Sequence, residues 1–250
     1  DAKEAVEWWR KAAEQDDAQA QSLFGWAYSN GEGVFQDAKE AMKWCRMAAE
    51  QGDADAQFIL GGCYLKGVGV ERDAKEGARW FRMAAEQGNA LAQFYLGRCY
   101  FNGQGVVKDA KEAVKWWRLA AEQGNADAQF GLGACCSRGI GVVQDEKEAM
   151  KWWRLAAEQG NAAAQGLLAG AYFYGDGVIE DHQAAYAWLV LAIDNGFASP
   201  KASELKARLT RSLTKAQIEK AHLWARERFE AQSGSKGSPR SSELKDTEGP

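Results

Sequence analysis

Proline is nearly absent: three in 250 residues, with Pro239 and Pro250 in the last dozen. Proline breaks helix interiors, so its scarcity leaves room for helix almost everywhere. There are two histidines, His182 and His222, and no Cys-x-x-Cys. That inventory offers no zinc-type ligand set, so neither metal nor cofactor is expected. Basic residues do not outnumber acidic ones: 31 Lys and Arg stand against 35 Asp and Glu, a formal charge of −4. Phosphate binding wants a basic footprint, so nucleic acid is not the expected partner. No run of 18 apolar residues occurs, and membrane insertion is not expected. The chain opens on Asp1, within a pattern and without a signal-like start. The compartment therefore stays open: cytoplasmic, or periplasmic or secreted if a preceding segment carried a signal peptide.

Catalytic patterns are also missing. Ser-x-x-Lys occurs at Ser203/Lys206, Ser212/Lys215 and Ser242/Lys245, but no Ser-Asp-Asn or Lys-Thr-Gly accompanies it. The carboxylates recur in positions suited to caps and turns. No coherent site emerges, and the chain is not expected to be an enzyme.

What the sequence does have is a repeat. Asp1, Asp37, Asp73, Asp109, Asp145 and Asp181 are spaced by 36, as are Trp8, Trp44, Trp80, Trp116, Trp152 and Trp188. Ala-Ala-Glu-Gln-Gly recurs at 48–52, 84–88, 120–124 and 156–160. Glycine pairs recur from Gly31/Gly33 to Gly175/Gly177.

Each unit reads as two helices. Asp-x-x-Glu, as in Asp73/Glu76, predicts a capping box at the first. Ala41, Trp44 and Ala48 follow on one helical face. Gly52 and its equivalents stop that helix, and Asp53, Asn89, Asn125 and Asn161 cap the second. The glycine pair ends the second helix. Gly25, Gly61, Gly97 and Gly133 lie mid-helix, where glycine is costly, and predict a close approach that seats a tryptophan. Burying a tryptophan yields about 4–6 kcal/mol, so the recurring tryptophans are read as packing residues.

The last unit departs from the rule. Ala187 and Val190 replace the Lys151 and Arg154 of the unit before, and Ser199-Pro200 opens a new helix. Residues 200–232 are read as capping helices that cover Ala187 and Val190. Residues 233–250, rich in Ser and Gly, are read as a disordered tail.

This pattern resembles the Sel-one-like repeat family, a relative of the tetratricopeptide repeat. The resemblance rests on Ala54 to Val70, Ala90 to Val106 and Asp73 to Gly88, and covers residues 1–199 in register. It implies an all-α fold: a right-handed αα-superhelix, or solenoid, with helix pairs starting near 1, 37, 73, 109, 145 and 181. It also implies an adaptor or scaffold. A cysteine-rich branch ties each pair with a disulfide, at positions held here by Ala49/Gln57 and Ala85/Gln93. The resemblance thus implies no such bridges in this chain. Cys63, Cys99 and Cys135 share one register with Ala27 and Ala171, which marks a small buried slot.

Comparing units separates shared from unshared positions. Along the second helix, Ala18, Gln21, Phe24, Gly25 and Tyr28 mark a shared stripe. The opposite stripe varies: Gln19, Leu23, Trp26 and Asn30 in the first unit, Leu91, Tyr95, Arg98 and Asn102 in the third. In the related superhelices this free face lines the concave groove. Its aromatics and arginines are of the kind enriched at binding hot spots. The expected protein-binding residues are Trp26, Lys66, Tyr95, Arg98, Phe101, Asn102, Arg138, Phe173 and Tyr174. The expected partner is a protein or peptide, held by a monomeric scaffold. The alternative is an envelope-associated or secreted module that recognises a peptide or glycan.

Overall fold

A computed structural model describes residues 2–235, and among these the regular structure is thirteen α-helices. The chain divides into two compact units, Asp1–Gln144 and Asp145–Pro250. In the first, α1 (Ala2–Ala13) pairs with α2 (Ala18–Asn30), α3 (Ala38–Glu50) with α4 (Ala54–Lys66), α5 (Ala74–Glu86) with α6 (Ala90–Asn102), and α7 (Ala110–Glu122) with α8 (Ala126–Arg138). In the second, α9 (Glu146–Glu158) pairs with α10 (Ala162–Tyr174); α11 (His182–Asp194), α12 (Pro200–Ser212) and α13 (Lys215–Ser235) follow. Of the tail expected at 233–250, residues 233–235 belong to the last turn of α13, and 236–250 lie outside the described residues.

Local chemistry sets these boundaries. Asp73 Oδ1 accepts from the N–H groups of Lys75 and Glu76 at 2.9 and 3.0 Å, starting α5. The reciprocal half of the expected capping box is not made. The Asp73 N–H donates instead to the Tyr64 carbonyl at 2.9 Å, and Asp37 and Asp109 donate likewise to Tyr28 and Tyr100. That bond ties each first helix to the second helix before it. Glu76 is left to pair with Arg79 at 3.0 Å. A reciprocal box does form at α13, where the Thr214 N–H donates to Gln217 Oε1 at 2.9 Å and the Gln217 N–H to Thr214 Oγ1 at 3.3 Å.

Gly88, at φ +90°, ends α5, and Asn89 Oδ1 accepts from the Ala92 N–H at 2.8 Å to begin α6. The glycine pair has two jobs. Gly67, at φ +76°, closes α4 in the left-handed conformation. Gly69 lies where a Cβ would sit 2.6 Å from the Ala38 carbonyl, so the loop presses on the start of α3.

In unit one the second helix of each pair packs on the first helix of the next. Trp44 joins the cluster of Ala20, Phe24 and Ala27 from the pair before it; Trp80 joins Met42, Cys45 and Leu60; Trp116 joins Phe81, Ala85 and Leu96. The recurring tryptophan thus plugs the seam between successive pairs. Trp8 differs: no earlier pair exists among the described residues, and it is 64% exposed.

The mid-helix glycines seat the residue after that tryptophan, not the tryptophan itself. A Cβ at Gly61 would lie 2.5 Å from the Phe81 ring, one at Gly97 2.5 Å from Trp117 Cδ1, and one at Gly25 2.6 Å from Cys45 Sγ. Ala169 fills the slot in the fifth repeat, where the register residue is the smaller Leu189.

Buried glutamines add a polar seam. Gln57 Nε2 donates to the Ala49 carbonyl at 3.1 Å, and Gln57 Oε1 accepts from Gln87 Nε2 at 2.8 Å. Gln21 with Gln51 and Gln93 with Gln123 repeat the second bond. Each glutamine therefore ties three helices together: its own, the one before and the one after.

In unit two the cap replaces these contacts. Lys43, Lys115 and Lys151 each hold an ammonium over the tryptophan that follows them. In α11 the lysine position is Ala187, and Trp188 instead meets Trp224 of α13 edge-on, 4.9 Å between ring centres. Ala187 and Val190 are buried. Gln232 of α13 joins the polar seam: its Nε2 donates to the Glu158 carbonyl at 3.0 Å, and its Oε1 accepts from Asn195 Nδ2 at 3.1 Å. Ser199 makes no side-chain cap bond, and Pro200 alone marks the start of α12. Phe197 fills the space left by Gly166, where a Cβ would lie 2.7 Å from its ring.

Candidate binding face

Second helices have two faces, and burial divides them along the line drawn by the repeat comparison. The shared positions Gln57, Leu60 and Gly61, and likewise Gln93, Leu96 and Gly97, are buried. Of the unshared ones, Asp55, Lys66, Leu91, Asn102, Asp127 and Arg138 are exposed, and Ile59, Tyr95, Arg98, Gly131 and Ala134 half-exposed. Gly62 is the exception and is buried.

The centre of this face in unit one is aromatic. Tyr95 stacks on Phe81 at 5.5 Å and 25°, with Phe58 at 5.6 Å. The Arg98 guanidinium lies over Tyr95 at 5.0 Å and over Phe94 at 5.8 Å. Cation–π contacts of this kind hold the side chain in one place while its N–H groups stay available. Phe101 sits 5.2 Å from Trp117, whose Nε1 donates to the Phe94 carbonyl at 3.1 Å. Tyr95, Arg98 and Phe101, expected from sequence, are therefore joined through Phe94 and Trp117.

Other expected residues are placed differently. Lys66, Asn102 and Arg138 line the C-terminal edge of the face, each the last residue of its helix. Trp26 is half-exposed, and its carbonyl accepts from Asn30 Nδ2 at 3.0 Å. In unit two, Tyr174 is 61% exposed. Phe173 is engaged within the chain: it stacks on His182 at 5.0 Å and 15° and lies under the Arg208 guanidinium at 4.6 Å. That docking of α12 removes much of its ring from a partner's reach.

Phe58, Phe94 and Trp117 were missed by the sequence reading, and Gly131, though on the unshared stripe, was given no role by it. Position 117 lies on a first helix, is Trp9, Cys45, Phe81, Trp153 or Leu189 elsewhere, and belonged to neither stripe of the second helices. Gly131 shows its role only beside Trp117: a Cβ there would meet the ring at 3.5 Å, ordinary contact, so the half-exposed glycine leaves a notch beside a tryptophan that is itself only 6% exposed.

None of the five cysteines, all among the described residues, is in a disulfide. Burial pushes the Cys63, Cys99 and Cys135 thiols up to about 11 and Cys45 to about 12. The thiolate is the nucleophile and the metal ligand, and these groups stay protonated at neutral pH. They serve as small packing residues.

A family model described as Sel1 repeat matches residues 1–17, 18–53, 54–89, 90–125, 126–161 and 162–197. A Sel1 repeat protein from Oxalobacter formigenes is 35% identical with a TM-score of 0.70, over 79% of this chain and 86% of that one. A protective antigen of uropathogenic Escherichia coli displaying an SLR fold is 32% identical with a TM-score of 0.62. That match spans 96% of this chain but 60% of the antigen. No curated protein sequence matches significantly.

Proposed function

The chain belongs to the Sel1 repeat family, and from that premise we propose that it is a non-enzymatic scaffold whose unshared second-helix face binds a protein partner. Proteins built of these repeats are generally scaffolds for protein–protein interaction. The observation that carries the reading is the split in burial. Leu60 and Leu96 have no exposed surface, while Arg98, Asn102 and Arg138 on the opposite side reach solvent. Packing constrains the first set and leaves the second free to be chosen for a partner. Half-buried aromatics around a fixed arginine supply the rigid contact area that hot spots use.

The test is affinity capture from the source cells with the parent chain and with Tyr95→Ala, Arg98→Ala and Arg138→Ala variants. The scaffold reading expects a partner whose recovery falls about tenfold or more with Tyr95→Ala or Arg98→Ala, the usual cost of a hot-spot truncation. Undiminished recovery by all three variants would place the binding elsewhere.

A further inference from the structure

Resting on that reading, we infer that the α6–α8 part of the face recognises an acidic peptide segment, with Arg98 meeting a carboxylate and the Gly131 notch taking a neighbouring apolar side chain.

Arg98 is unlike the other well-placed cations of unit one. Arg10 pairs with Glu7, Arg79 with Glu76 and Lys115 with Glu112, and Arg46 and Arg82 bond Tyr64 and Tyr100. Arg98 is held by the Tyr95 and Phe94 rings and pairs with no carboxylate among the described residues. Its planar fork of N–H donors suits an oxygen pair. Half-exposed, it has already lost part of its water and rotamer freedom, so a carboxylate meets a prepared donor. Arg138 adds a second exposed cation at the C-terminal edge. The acidic groups of the face, Asp55 and Asp127, lie at the opposite, N-terminal edge, and Asp55 accepts from Asn89 at 2.8 Å.

The notch supplies the apolar half. Tyr95 and Gly131 hold the same position in successive repeats, as do Arg98 and Ala134. Bulk in α6 is thus followed by its lack in α8, the next second helix. Trp117 spans the gap, touching Phe101 on one side and the Gly131 position on the other. A leucine or aromatic side chain from a partner would fill the space above half-exposed Gly131, where Leu23 and Leu167 stand in other repeats, with its peptide's carboxylate a few residues away on Arg98.

The test uses the full chain and a synthetic peptide array. Each peptide pairs one Leu, Phe or Trp with one Asp or Glu at separations of one to four residues, and a matched set carries Asn or Gln. Two variants isolate the parts. Arg98→Gln removes the charge. Gly131→Leu fills the notch with the residue that Leu23 and Leu167 show to be tolerated in this register. The inference expects the acidic members to bind about tenfold more tightly than their amides, with that preference lost in Arg98→Gln and all binding lost in Gly131→Leu. Equal binding of acids and amides, abolished by Gly131→Leu, would overturn the acidic specificity and leave the binding face standing. Failure of every acidic peptide to bind, or a single-stranded oligonucleotide binding through Arg98, would overturn the inference outright. The lysate capture by Tyr95 and Arg138 variants judges the face independently.

Discussion

Small residues in this chain follow from their neighbours, and the same residue type has opposite consequences at two positions. Gly97 and Gly131 both interrupt helices, where glycine costs about 1 kcal/mol relative to alanine. At Gly97 an added methyl would strike the Trp117 ring at 2.5 Å, whereas at Gly131 it would rest against that ring at 3.5 Å. Gly97→Ala is expected to lower the unfolding free energy by about 1–2 kcal/mol, since overpacking exceeds the helix gain. Gly131→Ala is expected to raise it by about 0.5–1 kcal/mol. Urea titration of both variants checks the signs, and two changes of equal sign would mean that the seat is not tight. Sequence shows both as glycine and cannot separate them, because the distinction lies in a ring contributed by another helix. The recurring tryptophan is a packing residue at Trp80, Trp152 and Trp188, which are buried, and at Trp44 and Trp116, which join the cores beside them, whereas Trp8 is exposed. The seat expected for a tryptophan holds one at Gly97, where it is Trp117, but holds Phe81 at Gly61 and Cys45 at Gly25, each one position after the recurring tryptophan.

At the scale of the helix, the boundaries were legible because their signals are local. Asp73, Gly88 and Asn89 each act within a few residues of themselves. The capping box was misread because its second bond competes with a distant group: the Tyr64 carbonyl, nine residues before, takes the Asp73 N–H. A difference in cost follows. Asp73→Ala is expected to cost about 1 kcal/mol through the lost cap. Glu76→Ala should cost less than about 0.5 kcal/mol, because its surviving contact is an exposed ion pair with Arg79. Thermal melts of the two variants test this, and equal losses would restore the reciprocal box. The glutamine seam was visible as a recurring letter but not as a bond, since Gln57 and Gln87 are thirty residues apart. Gln232 carries no repeat signal at all. It enters the seam of unit two only because α13 folds back beside α11.

For the molecule as a whole, repetition separates what holds the fold from what can vary. Cores of this kind are assembled from neighbour contacts, so each shared side chain stabilises its own seam. Arg98, Asn102 and Arg138 of the unshared face stand outside those seams, although Tyr95 beside them packs on Phe81 of the core. The members of the face were legible as a list; how Tyr95, Arg98 and Phe101 are linked was not, since Phe94 and Trp117 lie outside both stripes. The direct test is the unfolding free energy of two variants side by side. The triple variant Arg98→Ala, Asn102→Ala and Arg138→Ala should stay within about 1 kcal/mol of the parent, as surface changes do. The single change Gln57→Ala, which strands the Ala49 carbonyl and Gln87, should cost about 2–3 kcal/mol. A triple variant that loses as much stability as Gln57→Ala would contradict the division between framework and binding face.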